Sequence, residues 1–322
     1  MFQVAARPTP PHLASNMETY TPYPTQVPVN LQLPRTLQRP TFSEVSRDFV
    51  VQLAPELQEV PFEYIRKHLA GQANEMLAAL SLMSVPSSLP KSRLASNLDV
   101  PLRPANPMPS STAFPTHILA ISSSKSSPSS PTTPTVASFA AQAVSAGSAT
   151  VPLYPAHALV LAAHCTLLPP LPRSRPSNRA TSVTLPVVPL TVPSAETFPL
   201  LHAYLHTKRP DNLLAALLPS LAASFPSATS NRASSSSGGS VYVSQFTSER
   251  LSRLANSLAS TAYHQSGPQG ALSGLMAHAK VVNALWRNVC ALGVFDPELW
   301  GVMDLAWEII LAALTQVAQR SG

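Results

Sequence analysis

The sequence predicts an α+β protein that is predominantly helical, with its folded parts joined by long Pro/Ser-rich linkers. Apolar residues recur at three- and four-residue spacing over residues 41–83 and 241–320, as in helices that bury one face. Residues 151–221 alternate strand-like and helical patterns, which favours a small α+β core. The chain holds 35 prolines and only 11% charged residues, and its Pro/Ser-rich stretches show no periodicity that would order them.

The N-terminal third is predicted to contain one helical hairpin between two poorly ordered segments. Residues 1–40 form a proline-rich arm without sustained periodicity, so we expect it to be disordered. Residues 41–83 predict the hairpin, because Thr41 and Glu44 have capping-box spacing and a second apolar stripe runs from Phe62 to Met83. Residues 84–150 are interrupted by proline and serine, and predict a largely disordered linker with a short strand near 114–121.

The central block, residues 151–221, predicts the α+β core. A strand over 151–154 is followed by an apolar helix over 156–168 and by a Pro-rich insertion near 169–184. Residues 185–192 are β-branched but contain prolines, which predicts an edge strand. Helices follow from Ser194 to Leu221, and a Ser-rich linker over 222–240 ends the block.

The C-terminal region, residues 241–320, contains all three tryptophans on a predicted pair of packed helices. Gly293 suits a left-handed cap at the end of the first helix, and Asp296 followed by proline is a strong start for the second. The second helix is apolar around most of its circumference, so it must be covered on more than one side. Trp300 and Trp307 therefore belong either to a core or to an interaction surface that a second chain completes. A membrane span is disfavoured by Asp304 and Glu308.

Charge and cysteine content argue against several classes of protein. The net charge is +6, but the densest basic group, Arg173, Arg175 and Arg179, lies in a Pro/Ser loop without interleaved aromatic residues. Direct nucleic-acid binding is therefore disfavoured. The two cysteines make no disulfide framework, which fits a reducing compartment.

The histidines and cysteines supply weak candidates for a chemical site. His157, His164, Cys165, His202 and His206 lie in the central block, and the last two share a helix face. No spacing typical of a zinc site or of a nucleophile with its base accompanies them. We therefore expect no catalytic, cofactor-binding or metal-binding residue, and a Cys/His hydrolase or a zinc protein remains a distant alternative.

Three proline-directed hydroxyl groups are candidate phosphorylation sites. Ser127, Ser130 and Thr133 each precede a proline within a predicted disordered linker. A phosphate there adds nearly two negative charges to a segment that has almost none. A compositional accident of a Ser/Pro-rich linker is the equally weighted alternative.

Four segments resemble the clampless proteins of mushroom-forming fungi (basidiomycetes): residues 19–25 (TYTPYPT), 41–49 (TFSEVSRDF), 185–193 (LPVVPLTVP) and 288–300 (NVCALGVFDPELW). The resemblance implies a regulator of sexual development, acting downstream of mating-type genes in clamp-cell formation and in cell-cycle control of the two-nucleus mycelium. Residues 154–165 and 198–207 are also similar to BTB/POZ domains, which implies a BTB-like central core and binding of other proteins.

The sequence therefore predicts a non-enzymatic regulator that works through protein–protein contacts in the nucleus and cytoplasm. Its expected partners are transcription or cell-cycle regulators, with a homo-oligomer as a further possibility and without a cofactor or a membrane. The alternative is a DNA-associated transcriptional cofactor that touches DNA through its basic loops.

Overall fold

A six-stranded mixed sheet is combined with helices from both ends of the chain. The structure, a computed structural model, describes residues 33–124, 150–174, 177–179, 181–228 and 240–321, and residues 35–322 form one unit. The described helices and strands confirm the predicted α+β class with mainly helical content.

The sheet has the strand order β1-β4-β3-β6-β2, and β5 pairs with β6. Only β3 and β6 run parallel, and the other described pairs are antiparallel. The side chains of Val100, Ile118, Leu153 and Leu185 from four of these strands share one core. The strands are β1 (Ser88–Pro90), β2 (Asn97–Pro101), β3 (His117–Ser123), β4 (Thr150–Ala156), β5 (Ser177–Arg179) and β6 (Ser182–Val192).

The helices before and within the sheet are short, whereas the last two are long. Ala79 and Met83, at the end of α3, pack into the core of the sheet. Helices α7 and α8 pack along each other, and α8 also contacts α6. The helices are α1 (Arg47–Leu53), α2 (Phe62–Gly71), α3 (Ala73–Leu82), α4 (Ala158–His164), α5 (Phe198–Thr207), α6 (Pro210–Leu217), α7 (Ser248–Leu292) and α8 (Pro297–Ser321).

The C-terminal helix pair has the ends that the sequence predicts. Gly293 caps α7 in the left-handed region, with φ 64° and ψ 50°, and Asp296 accepts hydrogen bonds from the first amides of α8. Helix α7 begins well before the predicted stripe, at Ser248, where the Thr247 side chain caps it. It is kinked at Gly267 and Pro268, because proline cannot donate the helical hydrogen bond.

The stretch assigned to a disordered linker, residues 84–150, instead contributes three strands in its described part. Strands β1 and β2 lie in the segment for which no order was predicted, and β3 lies near the expected 114–121 strand. Their backbone partners are β4 and β6, far along the chain, so no local pattern signals them. Residues 125–149 of that linker lie outside the described residues.

One further expectation needs correction, and another keeps its main feature. Strand β6 has partners on both sides only over residues 182–184, where β2 and β5 flank it; over the predicted edge strand, residues 185–192, each position pairs with one described strand, β2 over 185–186 and β3 over 187–192. The free side explains how Pro189 is tolerated there. The first helix begins at Arg47 rather than at the capping box, because residues 37–42 extend along the C-terminal helices instead.

Among the described helices, α8 is the one long and apolar enough, by length and composition, to cross a membrane. Core helices of soluble proteins satisfy the same criterion, and 56% of the tested window is buried inside this chain. The burial has a simple source, because both α6 and α7 pack against α8.

Candidate functional site

The most elaborate polar site joins the end of α4 to the turn between α7 and α8. The amide of Thr166 donates to the carbonyl of Gly293 at 3.1 Å, and the amide of Leu167 donates to that of Leu292 at 3.1 Å. Cys165 and Val294 form an antiparallel bridge in the same place. We call this the junction: residues 164–167, the turn 292–296, and the end of α5 that packs beside them.

Gly293 is the residue that allows the junction to close. Its φ of 64° is readily adopted only by glycine, and a Cβ built there would lie 2.0 Å from Oγ1 of Thr166. The same Cβ would lie 3.2 Å from the backbone nitrogen of Leu167. The Thr166 hydroxyl donates to the Gly293 carbonyl at 3.1 Å, so the two segments are in direct contact on both sides of the residue.

Asp296 is the electrostatic centre of the junction. One carboxylate oxygen accepts the Tyr204 hydroxyl at 2.9 Å and caps α8 through the amides of Glu298 and Leu299. The other accepts the Lys208 ammonium at 2.9 Å. Burial by itself raises the pKa of Asp296, but the Lys208 charge and these hydrogen bonds outweigh it and hold the pKa well below its usual value. The carboxylate is therefore ionised and fully hydrogen-bonded.

Lys208 reaches Asp296 from a strained backbone position. It caps α5 with φ 50° and ψ 37°, a left-handed conformation that costs a non-glycine residue about 1 kcal/mol. Its ammonium lies 5.2 Å from the Tyr204 ring centroid and 3.2 Å from Nδ1 of His164. A glycine would relieve the strain but would remove the buried charge pair, so the side chain is what the position requires.

A pair of buried histidines lies beside the junction, held between two backbone carbonyls. Nε2 of His157 lies 2.8 Å from the Ala113 carbonyl, and Nδ1 of His206 lies 2.8 Å from the carbonyl of His202. The two rings meet at 3.0 Å between Nδ1 of His157 and Nε2 of His206. Three contacts each need one proton, whereas two neutral imidazoles carry only two. The geometry is therefore complete only when the pair binds one further proton.

Burial opposes that further proton. It lowers the pKa of His157 to about 4, with the neighbouring His206 adding to the effect, and it also lowers the pKa of His206. The His202 ring lies 4.3 Å from that of His206, and its Nε2 has no hydrogen-bond partner among the described residues. At neutral pH this cluster is an uncharged, incompletely bonded part of the core.

The cluster does not support the hydrolase or zinc alternatives. Cys165 is 1% exposed, and burial raises the pKa of its thiol to about 12, so the nucleophilic thiolate is suppressed. The positive charge of Lys208 opposes this rise in the pKa only in part. Within the described ranges, no three His, Cys, Asp or Glu side chains are placed to hold one metal ion.

Outside the junction, a buried asparagine connects α7 to the segment that follows the sheet. Asn288 is fully buried, and its amide group donates to the Ser194 carbonyl at 2.7 Å and to the Thr197 hydroxyl at 3.1 Å. Its carbonyl oxygen accepts the Ser194 amide at 2.9 Å. The segment that leads from β6 into α5 is thereby fixed to α7.

The predicted interaction surface is not exposed. Trp300 and Trp307 are each 2% exposed, and the Trp300 indole donates to the Val294 carbonyl at 2.9 Å. Both indoles belong to the core of this chain, since α8 is covered by α6 and α7. The candidate phosphorylation sites Ser127, Ser130 and Thr133 lie outside the described residues and stay predictions.

The sequence indicated Gly293 and Asp296 as helix ends but missed Lys208 and the contact between His157 and His206. A lysine that ends a helix just before Arg209 and Pro210 carries no signal of a left-handed conformation. The histidines come from elements separated by the whole of β6, so only the fold brings them together.

Two known protein domains match the chain. Residues 40–193 match the Clampless protein 1 N-terminal domain, and residues 211–321 match the Clampless protein 1 C-terminal domain. No significant match was found among curated proteins or among solved structures, so the BTB-like core stays a prediction. The junction joins the two matched ranges, because residues 164–167 lie in the first and residues 292–296 in the second.

Proposed function

We propose that this chain, which belongs to the Clampless protein 1 family, is a non-enzymatic regulator of fungal sexual development that acts by binding other proteins. The family connects the chain with clamp-related sexual development. The finer role is clamp-cell formation and cell-cycle control of the two-nucleus mycelium, carried out in the nucleus and cytoplasm. Transcription or cell-cycle regulators are the partners.

The observation that carries the non-enzymatic part is how the polar groups of the junction are used. The carboxylate of Asp296 bonds to the side chains of Lys208 and Tyr204, and it also caps α8. The buried Cys165 is held as a thiol, and the neighbouring histidines are held neutral. The arrangement binds two family domains into one unit and leaves no activated nucleophile beside an open cavity in the described part.

The proposal is tested by gene replacement in compatible mating strains of a mushroom-forming fungus. A strain that lacks the gene should form no clamp cells, and the wild-type chain should restore them. Cys165→Ala should restore them equally well, because it removes the thiol and adds no polar group to the buried site. Loss of clamp cells in Cys165→Ala, with the protein at normal abundance, would contradict the non-enzymatic role.

The mode of action is tested with the same strains. Affinity purification of the wild-type chain from mated mycelium should enrich transcription or cell-cycle regulators, and a strain that expresses the tag alone is the control. The alternative DNA-associated role predicts instead that the purified chain retards DNA in a gel and that this binding weakens steeply with salt. Binding of that kind without enriched protein partners would favour the alternative.

A further inference from the structure

An extended segment before α1 lies across the C-terminal helix pair, and we call residues 37–42 the strap. Leu37 is 5% exposed, so the strap begins with a buried apolar anchor. The Trp286 indole of α7 donates to the Gln38 carbonyl at 2.7 Å. The strap ends at Phe42, whose ring meets the edge of Phe295 at 5.2 Å between centroids.

Arg39 is the central anchor of the strap. Its guanidinium forms an ion pair with the Asp304 carboxylate at 2.5 Å and lies 5.4 Å from the centroid of the Trp300 ring. The strap therefore supplies part of the cover over Trp300. We call the surface that receives it the strap groove: Trp286, Phe295, Trp300 and Asp304.

The strap is held by side chains in a way that allows it to leave. None of its backbone groups pairs with another backbone group in the described part of the chain. The side chains of Arg39 and Asp304 are 56% and 41% exposed, and Phe42 is 72% exposed. Exposed ion pairs add little to stability, and segments with few buried contacts open most readily.

The groove continues beyond the strap into a partly filled cavity. A cavity of about 290 Å³ opens beside Arg39, and both Asp304 and Glu308 line it. These carboxylates are one helical turn apart on α8, and Arg39 pairs with only the first. Glu308 is exposed and has no ion pair within the described ranges. The surface therefore has the charge to receive one more basic side chain than the strap provides.

We infer that the strap groove is a docking site for an extended basic segment of a partner protein, and that the strap occupies it in cis as a competing ligand. The partner segment has an apolar residue, an arginine two positions later and an aromatic residue three positions after that. A further basic side chain reaches Glu308. The inference rests on the proposed function, since it names the surface through which the chain binds other proteins.

A separate partner suits this groove better than a second copy of the chain. The strap of a second copy makes the same contacts, but the tethered strap has a high effective concentration and excludes it. A partner that adds a contact with Glu308 gains an interaction that neither strap makes. Displacement of the strap then uncovers Trp300, one of the two residues that the sequence suggested for binding.

The test uses the full chain and a labelled peptide of residues 35–42 (RTLQRPTF). The variant Leu37→Ala/Arg39→Ala/Phe42→Ala removes the side chains that anchor the strap, and we call it the freed-groove variant. The peptide should bind it at least tenfold more tightly than it binds the wild-type chain, because a competent groove is always available. Adding Asp304→Asn should weaken peptide binding to this variant by about threefold to fivefold, the contribution of an exposed ion pair. Glu249→Gln, which removes an exposed carboxylate paired with Arg253 elsewhere, is the charge-matched control and should change nothing.

A second set of peptides tests the cavity. Lysine replaces Thr36, Gln38 or Thr41 in turn, and at least one peptide should bind the freed groove several-fold more tightly. That gain should vanish in Glu308→Gln. Failure of all three peptides would overturn the assignment to a partner with an additional basic residue.

Other outcomes overturn the inference directly. One is the absence of peptide binding to a freed-groove variant that still unfolds in a single cooperative transition. The other is peptide binding that Asp304→Asn leaves unchanged. Self-association of the freed-groove variant that the peptide reverses, measured by light scattering, would make a second copy the occupant. If the peptide fails while the wild-type chain still restores clamp cells, the groove is rejected and the proposed function stands. If the wild-type chain fails to restore them, the proposed function itself is rejected.

Discussion

Replacement of Gly293 by alanine tests the junction most directly, because this residue lies in direct contact with Thr166 and Leu167 of the other family domain. The new Cβ lies 2.0 Å from Oγ1 of Thr166, far inside contact distance. Thr166 must rotate away and lose its hydrogen bond to the Gly293 carbonyl. The Leu167 backbone nitrogen, 3.2 Å from that Cβ, must shift as well, which strains its bond to Leu292.

The expected loss is the sum of these effects. The left-handed conformation costs alanine about 1 kcal/mol. A lost Thr166 hydrogen bond costs about 1 kcal/mol, and weakening the two backbone bonds of the junction costs about 1 to 2 kcal/mol more. We therefore expect Gly293→Ala to lower the free energy of unfolding by about 3 to 4 kcal/mol.

Urea-induced unfolding, followed by tryptophan fluorescence, measures this loss. Gly274→Ala is the matched control, since a Cβ at this helical position meets nothing within 4 Å, and it should raise stability by about 1 kcal/mol. In a Thr166→Ala background the cost of Gly293→Ala should fall to about 2 kcal/mol. A loss near 1 kcal/mol in the wild-type background, the cost of the backbone conformation alone, would refute the close approach of the two segments.

Three further predictions concern the buried groups. The free energy of unfolding should fall as the pH drops from about 6.5 to 4, because the pKa of His157 is lowered to about 4 and only the unfolded chain binds the proton in that window. His157 alone accounts for about 3 kcal/mol of this loss. Equal urea midpoints at pH 7 and pH 4.5 would contradict the prediction. Asp296→Asn should cost about 3 kcal/mol because it leaves the Lys208 ammonium poorly compensated, whereas Asp304→Asn should cost less than about 1 kcal/mol; equal thermal shifts would count against the buried pair. Cys165 should resist a thiol reagent at pH 8 until urea unfolds the chain. Labelling of the native chain should come from Cys290, which is only half-buried, so Cys165→Ser should leave the native labelling rate unchanged.

The helix ends around the junction were predictable because their signals are local. A glycine after an apolar stripe and an aspartate before a proline each act within a few residues, and the structure has both as expected at Gly293 and Asp296. The use of Asp296 by Tyr204 and Lys208 was not predictable, because those residues come from a different helix. The same reason hid the His157–His206 contact.

Sequence alone established the α+β class, the mainly helical content, the tryptophan-bearing helix pair and the family. These features depend on short-range periodicity, on capping residues and on segment-level similarity. Only the tertiary structure decided that residues 88–101 join the sheet, that Trp300 and Trp307 are core residues, and that residues 37–42 lie on the last two helices rather than starting the first one. Each of these outcomes depends on partners far along the chain, and a local pattern does not record which distant surface supplies the hydrogen bonds and the burial.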